Sequence, residues 1–384
     1  MKVYVKMTNS QMGPKQRTSI RAPKRFTLAA LTALLLPCIP ATAHEGDGGK
    51  VTYASDHAPI GVMADHRHRK GEWMASYRLM HMDMAGNRDG TDTLSADHIA
   101  TTVPNIFSGN PGMPPTLRVV PREMPMQMHM VGAMYGLSDR VTLLAMGMYL
   151  EKKMDHITYQ GPAGTTQLGT FQTDVTGIGD TTLGAIIGLD NWQRPHSQVN
   201  FGLSLSLPTG SITATDQVLT PMGMTPTLRL PYPMQLGSGT FDLKPSLTGF
   251  WRQGRWTYGG QASAIVRLGE NDQSYTLGDV VELTGWVAFE PTPWISWSGR
   301  LKARAAGQID GQDPNIMAPV QTANPDNHGG QTVEALIGLN LAGQAGTLSG
   351  HRLAVELGLP LHRDLNGPQM ETDMTLTLGW QKAF

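Results

Sequence analysis

The chain has 384 residues, 40% of them hydrophobic and 16% charged, with a formal net charge of -1. Seven Lys or Arg and no acid fall in the first 43 residues, so the rest keeps 23 basic against 31 acidic residues, a net charge of -8. That balance, without any basic stripe, argues against a nucleic-acid partner. No later segment approaches the roughly 18 consecutive apolar residues of a membrane helix.

Residues 1–43 read as a secretion signal. A basic leader precedes the apolar run Phe26 to Leu36, and Ala41-Thr42-Ala43 supplies small residues for cleavage. The leader is long, so Met7 or Met12 is an alternative start. The single cysteine, Cys38, lies in this segment. Leu35-Leu36-Pro37-Cys38 is also open to a lipoprotein reading, which the proline fits poorly. Cleavage after Ala43 leaves no cysteine, hence neither disulfide nor thiolate metal site.

Residues 44–71 form a polar, histidine-containing segment, either a tail or a plug. His44 becomes the first residue on cleavage, where an amine and an imidazole can chelate copper together. Asp56-His57 and Asp65-His66-Arg67-His68 follow. Histidine-rich tracts bind metal, which makes His44, His66 and His68 candidate ligands. A solvated tail accounts for the same composition.

From residue 72 onward, alternating apolar and polar residues predict twelve strands: 72–84, 123–136, 141–153, 180–190, 197–208, 241–252, 255–268, 280–290, 294–305, 331–341, 351–362 and 371–384. Gaps of 38, 26, 32, 11, 25 and 8 residues alternate with gaps of 4, 6, 2, 3 and 9. This rhythm predicts an all-β fold in one domain, 72–384: a transmembrane, antiparallel, up-and-down barrel of the outer-membrane type, with long extracellular loops and short periplasmic turns. A soluble sandwich also alternates. It has no reason to sort its connections by length, and its strands average about 5 to 6 residues.

Strand 197–208 shows the two faces most clearly, Val199, Phe201, Leu203, Leu205 and Leu207 opposing Asn200, Gly202, Ser204 and Ser206. The last strand ends on Phe384, with Met374, Leu376, Leu378 and Trp380 at every second position before it. It resembles the C-terminal signal read by the barrel-assembly machinery. Trp73, Trp256, Tyr258, Trp294, Trp297 and Trp380 fall near strand ends, where aromatic girdles sit; Trp286 has inward parity.

Methionines are concentrated in the first three strands. Met80, Met82 and Met84 share one face, as do Met124, Met126, Met128, Met130 and Met134, while His81 and His129 have the opposite parity. Thioethers beside imidazoles suit Cu(I) or Ag(I). The alternative is flexible apolar filler. If Gln127 and His129 face the lumen, the methionines face lipid, and parity favours this second reading. Inward parity also falls on Arg252, Arg267, Arg300, Lys302, Arg304 and Arg352, and on Glu282, Glu334 and Glu356. These are candidates for setting pore selectivity or for neutralising one another across the lumen. An enzymatic site is not indicated. His196-Ser197 has no third group to orient a base, and Asp155-His156 is a lone pair.

Tyr135-Gly136-Leu137-Ser138-Asp139-Arg140, Gly177-Ile178-Gly179-Asp180, Leu207-Pro208-Thr209-Gly210, Gln235-Leu236-Gly237-Ser238-Gly239-Thr240 and Asn366-Gly367-Pro368-Gln369 are turn and strand-end motifs. Through them the chain from about Gly71 resembles the outer-membrane "transporter" family of the MetA pathway of phenol degradation. The resemblance implies a channel in the outer membrane of a Gram-negative bacterium, with lipid around it and small hydrophobic or aromatic molecules as cargo. It supplies no catalytic residues. The alternative function is a copper- or silver-binding outer-membrane protein.

Overall fold

A computed structural model describes residues 53–190 and 197–384. The signal segment, His44 and His196 lie outside the described residues.

The main sheet is antiparallel and closes on itself. Its strands run in chain order: Trp73–Gly90, then Val119–Glu123 continuing as Met126–Ser138, then Val141–Tyr159, then Gln167–Ile178 continuing as Thr181–Gly188. Ser197–Leu207, Phe241–Gln253, Trp256–Leu268, Val280–Thr292, Ile295–Ala306 and Gly330–Ala342 follow, and His351–Ala383 folds back on itself to supply the last two. Each pairs with the next, and the final arm returns to the first strand, with Met74 opposite Ala383 and Leu79 opposite Leu378. Twelve strands thus form one ring, matching the expected number and order. Closure leaves no unpaired edge, which a sheet in lipid requires.

Several boundaries differ from the sequence expectation. The third and fourth strands rise well beyond residues 153 and 180, so the expected 26-residue loop shrinks to 160–166. The first strand runs on to Gly90. At about 3.3 Å per residue, the 19 residues of Val141–Tyr159 extend some 60 Å, more than a tilted strand needs to cross a bilayer. The last hairpin turns tightly at Asn366-Gly367, with Gly367 at φ 74°, a conformation glycine adopts without strain.

Parity sorts the side chains. Val131, Leu143, Leu183, Leu203, Leu247, Val281, Leu301, Ile337, Leu359 and Leu378 are all exposed on the outer wall. They form an apolar belt far too continuous for a water-facing surface. Trp73, Trp251, Trp256, Trp294, Trp297 and Trp380 are exposed toward the short-turn end of the ring. Tyr77, opposite Trp380, belongs to this same end, and its hydroxyl reaches to within 2.8 Å of His129 Nδ1, beside Tyr149. An apolar belt rising from an aromatic girdle is the outer surface that lipid selects.

The methionine faces are reversed from expectation. Met80, Met82, Met126, Met128 and Met130 share the inner face with Arg78, and Met130 is buried. Gln127 is exposed on the outside, and His81 and His129 share that outer face. The physical reason is the overshoot of these strands. Above the level of Leu79 and Tyr149 the outer wall turns polar, with His81 paired to Asp83 at 3.0 Å, so polar residues there do not mark the lumen.

Candidate functional site

Three layers fill the inside of the ring. At the short-turn end, residues 53–72 cross the interior as a plug. Their partners lie on inward positions all round the ring. Ser55 donates to Glu290 Oε2 from its amide at 2.9 Å and its hydroxyl at 2.7 Å. Arg352 reaches the Ala58 carbonyl at 2.6 Å, Gln261 the Met63 carbonyl at 2.8 Å and Asn200 the Asp65 carbonyl at 3.0 Å. The His68 amide donates to Thr142 Oγ1 at 2.7 Å. Trp286 and Phe250 pack on Ala58 and Val62. The strands supply glycine where the plug crosses closest. A Cβ on Gly136 would collide with the Arg69 carbonyl, and one on Gly188 with the Arg67 guanidinium.

The plug explains much of the expected charge array. Arg300 and Glu356 form a bidentate pair, Nη2 to Oε2 at 2.7 Å and Nε to Oε1 at 2.9 Å, and Oε2 also accepts the Gly61 amide at 3.0 Å. Arg252 donates to Ser55 Oγ and Asp56 Oδ1 and lies 3.9 Å from the Tyr53 ring centroid. Higher up, Lys302 pairs with Glu334 at 2.9 Å, Arg267 with Asp242, and Glu282 stands opposite Arg304 in the ladder. The nine candidate lumen charges are therefore inward, and most are neutralised by neighbours or engaged by the plug. Sequence reasoning missed Glu290, which shares the inward parity of Glu282 but stood at the expected end of its strand.

Above the plug one sector of the inner wall is methionine. Met80 lies opposite Met128, Met82 opposite Met126, and Met130 opposite Met148. Met84, Met124, Met128 and Met154 continue upward into a cluster with Leu150, Leu230, Met234 and Leu236. Residues 230–236 belong to the connection 208–240, which folds inward. Its Pro233 and Gln235 carbonyls accept from Lys152 Nζ at 2.8 and 2.5 Å. The arrangement does not bring the candidate metal set together, because His81 and His129 are on the far side of the wall from the methionines.

The third layer is a cap of packed loops. Phe107, Val119, Tyr232, Tyr275, Ile309, Ile316 and Val320 form its core. Beside it lies a cavity of about 480 Å³ lined by Met113, Phe171, Val218, Leu228, Leu230, Met317 and Val320. Of its polar lining, Arg229 binds Asp313 at 2.9 Å and the His156 ring stacks on Phe171 at 4.6 Å, while His156 Nδ1 and Thr173 Oγ1 have no hydrogen-bond partner among the described residues. Such a size and lining fit a small apolar molecule. Asp155 instead accepts from Gln172 at 3.2 Å, so Asp155 and His156 do not act on each other. Loop residues supply most of this cavity, and nothing in their spacing announces it.

His328 ties the cap together, with Nε2 3.1 Å from the Thr322 carbonyl and its ring edge-on to Tyr232. Burial lowers its pKa to about 4, against about 6.5 unfolded. The unfolded loop therefore takes up the proton first as pH falls. The contribution of neutral His328 is complete above pH 6.5 and is lost progressively toward pH 4. Limited proteolysis of the cap is expected to be faster at pH 5 than at pH 7.5, and His328→Asn should flatten that difference. Equal cleavage of the wild-type cap at both values would remove the role given to His328.

A closed antiparallel ring with a lipid-type belt, an inner plug and an inward loop defines the class of outer-membrane β-barrels. Among solved structures the chain is similar to the COG4313 outer membrane channel from Pseudomonas putida F1. The TM-score is 0.54 at 15% identity, over 88% of this chain and 100% of that one. That likeness establishes the fold. Weaker likenesses include the Ralstonia pickettii toluene transporter TbuX, with a TM-score of 0.44 at 10% identity, covering 83% of this chain and 90% of that one. The P. putida toluene transporter TodX scores 0.40 at 10% identity, covering 83% and 91%. No protein-family model and no curated relative matches the chain.

Proposed function

We propose that the chain is an outer-membrane channel for small hydrophobic or aromatic molecules. The observation that carries this reading is the apolar continuity from the loop cavity, through the Met124–Met154–Met234 cluster, to the methionine wall below. Thioether side chains are apolar, flexible and polarisable, so they adapt to flat or irregular guests without offering hydrogen bonds. Across the lumen the charges are paired, and a paired ladder repels an apolar guest less than free charges do. The likeness to the COG4313 outer membrane channel supports a channel, and the sequence resemblance to the phenol-degradation transporters supports this cargo class. The copper or silver reading as the main function is weaker, since the wall separates the methionines from His81 and His129.

The test is uptake at low concentration of a radiolabelled monoaromatic hydrocarbon by Gram-negative cells with and without the protein. Faster uptake is expected with it, together with only small ionic conductance in planar bilayers, because the plug and inward loop block a water-filled path. Identical uptake by both strains overturns the proposal.

A further inference from the structure

The plug carries a cluster of imidazoles that the passage of an apolar molecule does not use. His66 and His68 are buried, and His57 is half-buried beside them. Ring centroids of His57 and His66 are 4.2 Å apart, and those of His66 and His68 are 5.0 Å apart. Donor atoms of His57, Asp65 and His66 all lie within 4.8 Å of one another. The chain arrives there through a sharp turn at Ala64, which has φ 52°. That turn brings Asp65 back to accept the Ala58 amide through Oδ2 at 2.9 Å.

Each ring is held by one nitrogen or leaves one spare. His66 Nδ1 is 2.8 Å from Asp65 Oδ1, and His68 Nδ1 is 3.6 Å from Glu72. His57 Nδ1, His66 Nε2 and His68 Nε2 are buried with no hydrogen-bond partner among the described residues. Three buried, unpaired ring nitrogens in one place are costly unless something binds them. Imidazoles oriented by carboxylates are the usual surroundings of a transition-metal ion.

We infer that His57, His66 and His68, with the Asp65 carboxylate, form a binding site for a late first-row divalent ion, Zn(II) or Cu(II), inside the plug. Nitrogen and oxygen donors without thiolate suit these ions. Donor separations near 4.8 Å have to close somewhat for bonds of about 2.0–2.2 Å, which rotation of the half-buried His57 allows. Arg78 and Arg352 also face this region and oppose a cation, while Asp65 and Glu72 favour it. The site joins the two arms of the plug, because His57 precedes the turn at Pro59–Val62 and His66 follows it. A bound ion closes that loop and staples the plug in place. This site keeps His66 and His68 of the expected set and joins them to His57 and Asp65, which the fold brings beside them, and it does not depend on the cargo proposed above.

The experiment uses the whole folded protein in detergent, stripped with a chelator and titrated with Zn(II) or Cu(II) against a chromophoric competitor. One ion per chain at micromolar affinity or tighter is expected, weakened at least thirtyfold by His57→Gln with His66→Gln and unchanged by Met130→Leu with Met148→Leu. X-ray absorption of the loaded wild-type protein should show nitrogen and oxygen neighbours with imidazole scattering, a readout that needs no variant to fold. Failure of the wild-type protein to bind either ion overturns the site. So does unaltered binding by a folded histidine variant, or a sulfur-dominated spectrum.

Discussion

Glu356→Ala is expected to release the plug from the ring and to cost the fold about 3–5 kcal/mol, the usual penalty for removing one partner of a buried ion pair. The Arg300 and Glu356 side chains are only 3% and 1% exposed. Alanine leaves the guanidinium charged, buried and without its bidentate acceptor, and it strips the Gly61 amide of its only described one. The plug then loses a central anchor between its arms. Two measurements separate these effects. Urea unfolding from lipid should show the stability loss, and planar-bilayer conductance should rise as the plug loosens. A double replacement, Arg300→Met with Glu356→Leu, removes the uncompensated charge and should recover much of the stability, yet it still lacks the Gly61 anchor and should keep the raised conductance. Unchanged conductance in both variants would mean that the pair does not hold the plug.

The second large effect is expected on the methionine wall. Met128→Glu places a carboxylate where Met84, Met124 and Met234 converge, and an ionised group there must either stay solvated or lose several kcal/mol of hydration. Water drawn to it disrupts the apolar path. Since each 1.4 kcal/mol is tenfold in an equilibrium, uptake of a monoaromatic should fall at least tenfold. Met128→Leu keeps volume and polarity and should stay within about twofold, since such volume-conserving swaps are usually mild. His129→Ala, one residue away on the outer face, should leave uptake unaltered. Equal uptake by the glutamate and leucine variants would show that the cargo does not travel along this wall.

Much of the ring was legible in the sequence because a strand in lipid obeys two strict rules. Its side chains alternate, and its connections differ in length at the two ends. Arg300, Trp286 and the Val199–Leu207 stripe followed from those rules alone. The methionine faces did not, because alternation defines two faces without saying which is inside. Gln127 and His129 looked like lumen residues only on the assumption that every polar side chain on a strand avoids lipid. The strands run past the bilayer, so that assumption fails above Leu79 and Tyr149. The plug's docking was illegible for a different reason. Asp65, His66 and His68 are neighbours in sequence, but Asn200, Gln261, Glu290 and Arg352 meet the plug only after the ring closes, and no local pattern encodes such distant partners. The loop cavity is likewise assembled from four separate connections.

The pairing of Met74 with Ala383 joins two points separated by nearly the whole polypeptide, and it is the last seam that can form. Contacts of such long range are slow to establish. The segment bearing His57 and Asp65 precedes the first strand, so it has to be gathered in before the seam is sewn, or threaded through afterwards. Folding order therefore decides whether the cylinder is born shut or open, and a delay at its final hairpin would leave an unstoppered intermediate in the bilayer.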